Sequence, residues 1–395
     1  MRLAGRLAWA LVLSAVASPQ DGELDKGEVA RIVDEYLAAR ELAAPPSPWE
    51  AALEGVSTYG DLRLRLETTD WADRRDRTRG RLRARFGASY EVDDSLLLGA
   101  RLVTGSRDDP NSPHVTFGDG LDGLEVSLDR AFLTWRPRED VWVRGGKFAH
   151  PFRTNPVYGE LVWDADVQPE GLAFGWGTDV GAGGARLELS AGEIVLVEQA
   201  LDEDALMTVA QAALAVPLGD GVEGSFSASW HRVHDPTPDG STLLVDDDQG
   251  NALVDDDGDG KADGFASDFG VLDVVAAARF DDTVPLQLSL EWIENLSAED
   301  GEGSGWAAGV SWGRAARAGD WRWIVLLLRL EQDAVFSPFA QDDFPLVTDQ
   351  EGALLGANHQ LTDSAGLYVW ALASDPLDDH EDASWRFRID LNVKF

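Results

Sequence analysis

Over Ser384 to Phe395 the odd and even positions separate into two chemical sets. Trp385, Phe387, Ile389, Leu391, Val393 and Phe395 form one, and Arg386, Arg388, Asp390, Asn392 and Lys394 form the other. Successive side chains of a strand point to opposite faces, so a period of two describes a strand with one apolar and one wet side. The separation recurs upstream. Leu62, Leu64 and Leu66 alternate with Arg63, Arg65 and Glu67, and Leu82, Ala84 and Phe86 with Arg81, Arg83 and Arg85. Phe226, Ala228 and Trp230 oppose Ser227, Ser229 and His231, while Leu288, Leu290 and Trp292 oppose Ser289 and Glu291.

Read this way, residues 55–395 divide into about sixteen strands, the thirteenth placed at 320–335 and the last at 384–395. Long connections, including 150–170 and 234–267, alternate with short turns along the chain. A transmembrane antiparallel β-barrel has that asymmetry, with short periplasmic turns, long outer loops, apolar residues facing lipid and polar residues facing the lumen. A soluble β-sandwich has no reason to keep it, and it would bury the opposite face. Some segments resist: Ile324 to Leu330 is almost continuously apolar, and Asp129–Arg136 and Val141–Lys147 have mixed parity. A strand covered on both sides, by another subunit or an inward loop, would read like the first.

Ahead of the strands, Arg2 and Arg6, the apolar run Leu7 to Val16 and Ala15-Val16-Ala17 read as a signal peptide over residues 1–17. Residues 18–54 then form a periplasmic segment. Within it Val29, Ile32, Val33, Tyr36 and Leu37 keep a helical period until Pro45, Pro46 and Pro48. That short helix is either packed on the barrel or a self-association element. No later stretch is apolar enough for a transmembrane helix. Cysteine is absent, so disulfides and thiolate sites are excluded. A formal charge of −38 argues against nucleic acid as a partner and for solvation or cation binding.

The segment Asp129-Arg130-Ala131-Phe132-Leu133-Thr134-Trp135, then Gly146-Lys147-Phe148-Ala149-His150-Pro151-Phe152, then Trp163 to Gly171, preceded by Arg101 to Ser106, resembles the bacterial "putative porin" family. The Gly-Lys-Phe string is also similar to phosphate-selective porins. The final amphipathic strand closing on Phe395 resembles the C-terminal signal of outer-membrane barrels. These resemblances imply the bacterial outer membrane as location, contact with its lipid and with the barrel-assembly machinery, a passive channel rather than an enzyme, and, by fold analogy, a homotrimer.

Two loops carry the candidate sites. In the sixteen-stranded porins that the chain resembles, the third long loop folds into the lumen. Here it spans His150 to Glu170 and holds Glu160, Asp164, Asp166 and Glu170. Strand parity places Arg63, Arg65, Arg81, Arg83, Arg85 and Arg101 on the lumen wall, so the expected pore constriction sets carboxylates against guanidinium groups. The fifth long loop is rich in aspartate. Its Asp255, Asp257, Asp259, Gly260, Lys261 and Asp263 match a calcium loop, except that Ala266 stands where a bidentate glutamate belongs. The reading is a porin for small hydrophilic solutes or ions that leans to cations. The alternative is an acidic, calcium-binding structural or adhesion barrel with a plugged lumen. Scattered histidines offer no catalytic arrangement.

Overall fold

The computed structural model describes Arg31 and residues 55–395, except 107–108, 119, 182, 201–202, 239–240, 300 and 378–381. Apart from Arg31, the expected signal peptide and periplasmic helix lie outside the described residues.

Among the described residues, sixteen long strands form one antiparallel sheet closed on itself. They are β1 (Val56–Asp70), β2 (Arg77–Asp93), β3 (Leu96–Thr104), β4 (Val126–Arg138) and β5 (Val141–Lys147). Next come β6 (Glu170–Val180), β7 (Ala185–Val197), β8 (Ala205–Gly219), β9 (Val222–His234), β10 (Gly270–Phe280) and β11 (Leu286–Asn295). The circle is completed by β12 (Ser304–Gly313), β13 (Trp321–Leu330), β14 (Gln350–Gln360), β15 (Ala365–Pro376) and β16 (Ser384–Lys394). Each strand pairs with its sequence neighbours, and β16 returns to β1 with Leu391 opposite Leu64 and Arg388 opposite Glu67. Closure leaves no unpaired edge, the condition for strands to cross a bilayer.

Burial is inverted relative to a water-soluble protein. Leu290 is 63% and Trp385 is 56% exposed, while their neighbours Glu291 and Arg386 are 6% and 8% exposed. Apolar side chains therefore face outward and charged ones inward, which a sandwich cannot accommodate. Trp135, Trp230, Trp292, Trp312, Trp321 and Trp385 lie on the outer surface, as aromatic girdles require. Trp142 and Trp370 turn inward instead; Trp142 lies over Gly175, and the inner core packs against Trp370.

The resistant segments have local causes. Arg101 pairs with Arg130 and Leu102 with Leu128, so Asp129 is an extra residue in a bulge, and the face of every later residue in β4 shifts by one. A second irregularity follows between Trp135 and Arg138. Gly146 adopts φ +110°, and a Cβ there would stand 2.3 Å from the Ala131 carbonyl oxygen. That close approach admits only glycine.

β13 ends at Leu330, five residues short of the expected boundary, because 331–349 leaves the wall and folds inward. Its Ala334, Val335, Ala340, Phe344 and Val347 pack against Ile324, Leu326, Leu328 and Leu330 on the inner face of β13. Val157, Tyr158 and Leu161, from the connection 148–169, join the same core. Gly309 on β12 makes room, since a Cβ there would meet Val157 Cγ1 at 2.9 Å. Each large apolar side chain withdrawn from water is worth about 1.5–3 kcal/mol. Several together offset the entropy of ordering two loops.

Candidate functional site

The wall beside this core is built by register. Asn392, Arg63 and Arg83 lie in one row across β16, β1 and β2; Asp390, Arg65 and Arg81 lie in the next, and Arg388, Glu67 and Arg79 in the third. Arg63 facing Arg83 and Arg65 facing Arg81 would repel as cross-strand pairs. Carboxylates compensate. Arg65 donates to both oxygens of Asp390 at 2.8 and 2.9 Å. Arg83 and Arg85 both reach Asp61, at 3.2 and 2.7 Å, and both reach Asp166 of the inward loop, at 3.0 and 3.4 Å.

Arg63, Arg65, Arg83 and Arg85 line a cavity of about 270 Å³ together with Glu160, Asp164 and Asp166. Seven of the sequence-derived constriction residues thus meet in one place. The other three do not line it. Arg81 faces the lumen but donates to Ser112, and Arg101 is held by Asp129 at 3.0–3.1 Å. Glu170 opens β6 as an exposed residue and pairs with Lys147 at 2.5 Å. The inward loop turns back to the wall before reaching it.

Sequence reasoning missed a second acidic loop. Asp342 and Asp343 of the connection 331–349 line the same cavity, as do Asp390, Tyr368, Trp370, Asn111 and His114. Arg388 clamps the Asp343 carboxylate and donates to Glu67 at 2.6 Å. Arg386 donates to the Asp342 and Asp343 carbonyls at 2.6 and 2.9 Å. The two inward loops also hold each other. Asp164 N–H donates to the Phe339 carbonyl at 2.8 Å, and Tyr158 Oη donates to Asp343 at 3.2 Å. One signal was available: the apolar run Ile324–Leu330 needed an inner partner, and the chain that follows it supplies one.

Burial raises the Glu160 and Asp164 carboxyls well above their ordinary range, and neighbouring carboxylates add to it. Asp342 is raised by burial as well, against the pull of Arg388. For Asp343 burial works in the same direction, but Arg388 overrides it and holds the group low. Ordinary carboxylates titrate near pH 4. The raised groups are neutral below their shifted pKa values, so the cavity gains negative charge as pH rises through them. The stabilisation from burying their neutral forms is lost over the same interval. The expected result is a cation-to-anion permeability ratio that climbs with pH, measured by reversal potential. A ratio that stays flat as pH is raised from the ordinary carboxylate range upward would contradict it.

The aspartate-rich loop forms a small hairpin, with Leu253 paired to Phe265 and Val254 to Gly264. Carboxylate oxygens of Asp255, Asp257 and Asp263 lie within 4.8 Å of one another. Asp259 is outside that group, its carboxylate accepting from Lys261 N–H at 2.9 Å. Gly258 and Gly260 take positive φ, which the tight turn requires.

Solved structures share this architecture. OprB of Pseudomonas putida matches with a TM-score of 0.57 at 13% identity, over 88% of this chain and 96% of its own. OmpF of Salmonella typhi, in complex with daunomycin, matches at 0.52 and 12%, over 86% and 97%. A loop-deletion form of OmpT from Vibrio cholerae matches at 0.51 and 14%, over 86% and 99%. At such identities the likeness shows the fold. No curated protein matches the chain. The sequence profile described as "putative porin" matches residues 51–196 and 239–395. With its closed barrel and inverted burial, the chain belongs to the "putative porin" family, non-enzymatic channel proteins of the bacterial outer membrane.

Proposed function

We propose that the channel passes small hydrophilic solutes and ions by passive diffusion, with a lean towards cations. The observation that carries this is the meeting of wall arginines Arg63, Arg65, Arg83 and Arg85 with carboxyls of the two inward loops around one cavity, so that charged groups line the narrowed lumen. Asp166, Asp343 and Asp390 meet four guanidinium groups in the cavity, Glu160, Asp164 and Asp342 add negative charge as pH rises, and the net charge of −38 raises cation concentration at its mouth. Conductance of the refolded protein in a planar bilayer under a salt gradient tests the reading. Discrete steps with a cation-selective reversal potential are expected; anion selectivity would move the weight to the arginine wall.

A second reading, an acidic surface barrel with a plugged lumen, is favoured by how much of the interior the two inward loops occupy. Silence from protein known to be folded and inserted would promote it.

We further infer that the 253–265 hairpin takes calcium through Asp255, Asp257 and Asp263, with Asp259 and the Lys261 carbonyl as further candidates. Calcium would relieve repulsion among these charges. Added calcium is expected to slow tryptic cleavage after Lys261, and the triple variant D255N/D257N/D263N to abolish that protection. Equal cleavage with and without calcium would refute the site. A homotrimer is proposed by fold analogy alone. The outer apolar belt is proposed to meet lipid, and the final strand to be read by the barrel-assembly machinery.

A further inference from the structure

We propose that the constriction is a binding subsite for a small neutral polyhydroxylated solute, a monosaccharide or polyol; the proposal rests on the channel reading above. The charged groups there are already committed to one another. Arg65 is spent on Asp390, Arg83 and Arg85 share Asp61 and Asp166, and Arg63 donates to Asn392 at 2.6 Å. A charged solute would gain a partner chiefly by displacing one of these.

The unmet hydrogen-bonding capacity is of another kind. Among the described residues, both amide atoms of Asn111, Nε2 of His114 and Nε1 of Trp370 lack a partner, and all three residues line the cavity. Asn111 is 4% and His114 is 8% exposed and their unpartnered atoms are themselves enclosed, so bulk water does not readily satisfy them and a bound hydroxyl reaches them through a small turn of the side chain. The His114 imidazole is neutral, because burial and then the neighbouring arginines push its pKa well down. Arg83 Nε is the charged exception, and a hydroxyl oxygen satisfies that donor as well.

A hydroxyl both donates and accepts. It therefore answers the amide oxygen, the amide and indole N–H groups and either imidazole tautomer, which an inorganic ion of one sign cannot do. Trp370 and Tyr368 share the inner face of β15 and line the same cavity, offering ring surface to the C–H face of a pyranose. A cavity of about 270 Å³ suits a solute of that size rather than an oligomer.

The test uses single channels of the full chain in planar bilayers, titrated with glucose and, separately, with a polyethylene glycol of similar mass. Glucose is expected to reduce ion current saturably, while the glycol, which lacks a dense array of donors, lowers it only in proportion to bulk conductivity. Asn111→Ala, and Trp370→Phe, which keeps a ring but loses the N–H, are each expected to raise the half-blocking glucose concentration about tenfold. Heat-modifiable gel mobility verifies that each variant is folded. Normal ion steps with linear, unsaturating glucose dependence would overturn the subsite and leave the channel standing. Absence of ion steps from inserted protein would overturn the channel reading, and this proposal with it.

Discussion

Replacing Arg388 by methionine is expected to free the 331–349 loop from the wall, enlarging and destabilising the channel together. Arg388 is 2% exposed and sits between Glu67 and Asp343. Methionine fills comparable volume but leaves the Asp343 carboxylate without its guanidinium, while Glu67 keeps Arg79 at 2.6 Å and Arg65 at 3.9 Å. Removing one partner of a buried ion pair costs about 3–5 kcal/mol, because the remaining charge stays desolvated. The cheapest relief is for the loop to leave the lumen. Phe344 and Val347 would then lose their cover, and Tyr158 would lose its acceptor on Asp343. Single-channel recording should show larger, noisier openings, and the compact unboiled form on a gel should be lost at lower temperature. Arg388→Lys restores charge without the planar fork and should fall between the two. Wild-type conductance and wild-type heat resistance in the methionine variant would show that the clamp does not hold the loop.

The second large effect is on selectivity. Asp166→Arg places a third guanidinium within reach of Arg83 and Arg85, where the carboxylate now stands 3.0 and 3.4 Å away. At an effective dielectric of about 20, unit charges 4 Å apart interact by about 4 kcal/mol. Salt and lumen water reduce this, and a residual of about 1.4 kcal/mol corresponds to tenfold in partition. The cation-to-anion permeability ratio should fall by about that factor, with Asp166→Asn giving a smaller change of the same sign. A reversal potential unmoved by the arginine variant would show that solutes do not pass between these walls. Selectivity would then belong to the acidic outer loops.

Both effects depend on features of unequal legibility. The wall arginines were readable because parity in a strand is binary: once Leu62, Leu64 and Leu66 face outward, Arg63 and Arg65 must face inward. Asp166 was readable only through the resemblance that folds its loop into the lumen. Asp342 and Asp343 were not readable, since a loop carries no period to say where its side chains point, and the apparent strand ran on past Leu330 to residue 335. Mixed parity in β4 came from a one-residue bulge at Asp129, which shifts every later side chain without changing composition. Glu170 was misplaced because where a loop rejoins its strand depends on pairing with β5, not on its own sequence.

Alternation, closure and exposure were therefore determined by the sequence alone. Each strand's two faces differ so sharply in transfer free energy that only lipid outside and a polar lumen inside satisfy them. Which loops enter that lumen, and which charges they bring against the arginine wall, was decided by tertiary structure. Those contacts join residues as far apart as Arg83 and Asp166, and their energy arises only when separate loops and strands exclude water together.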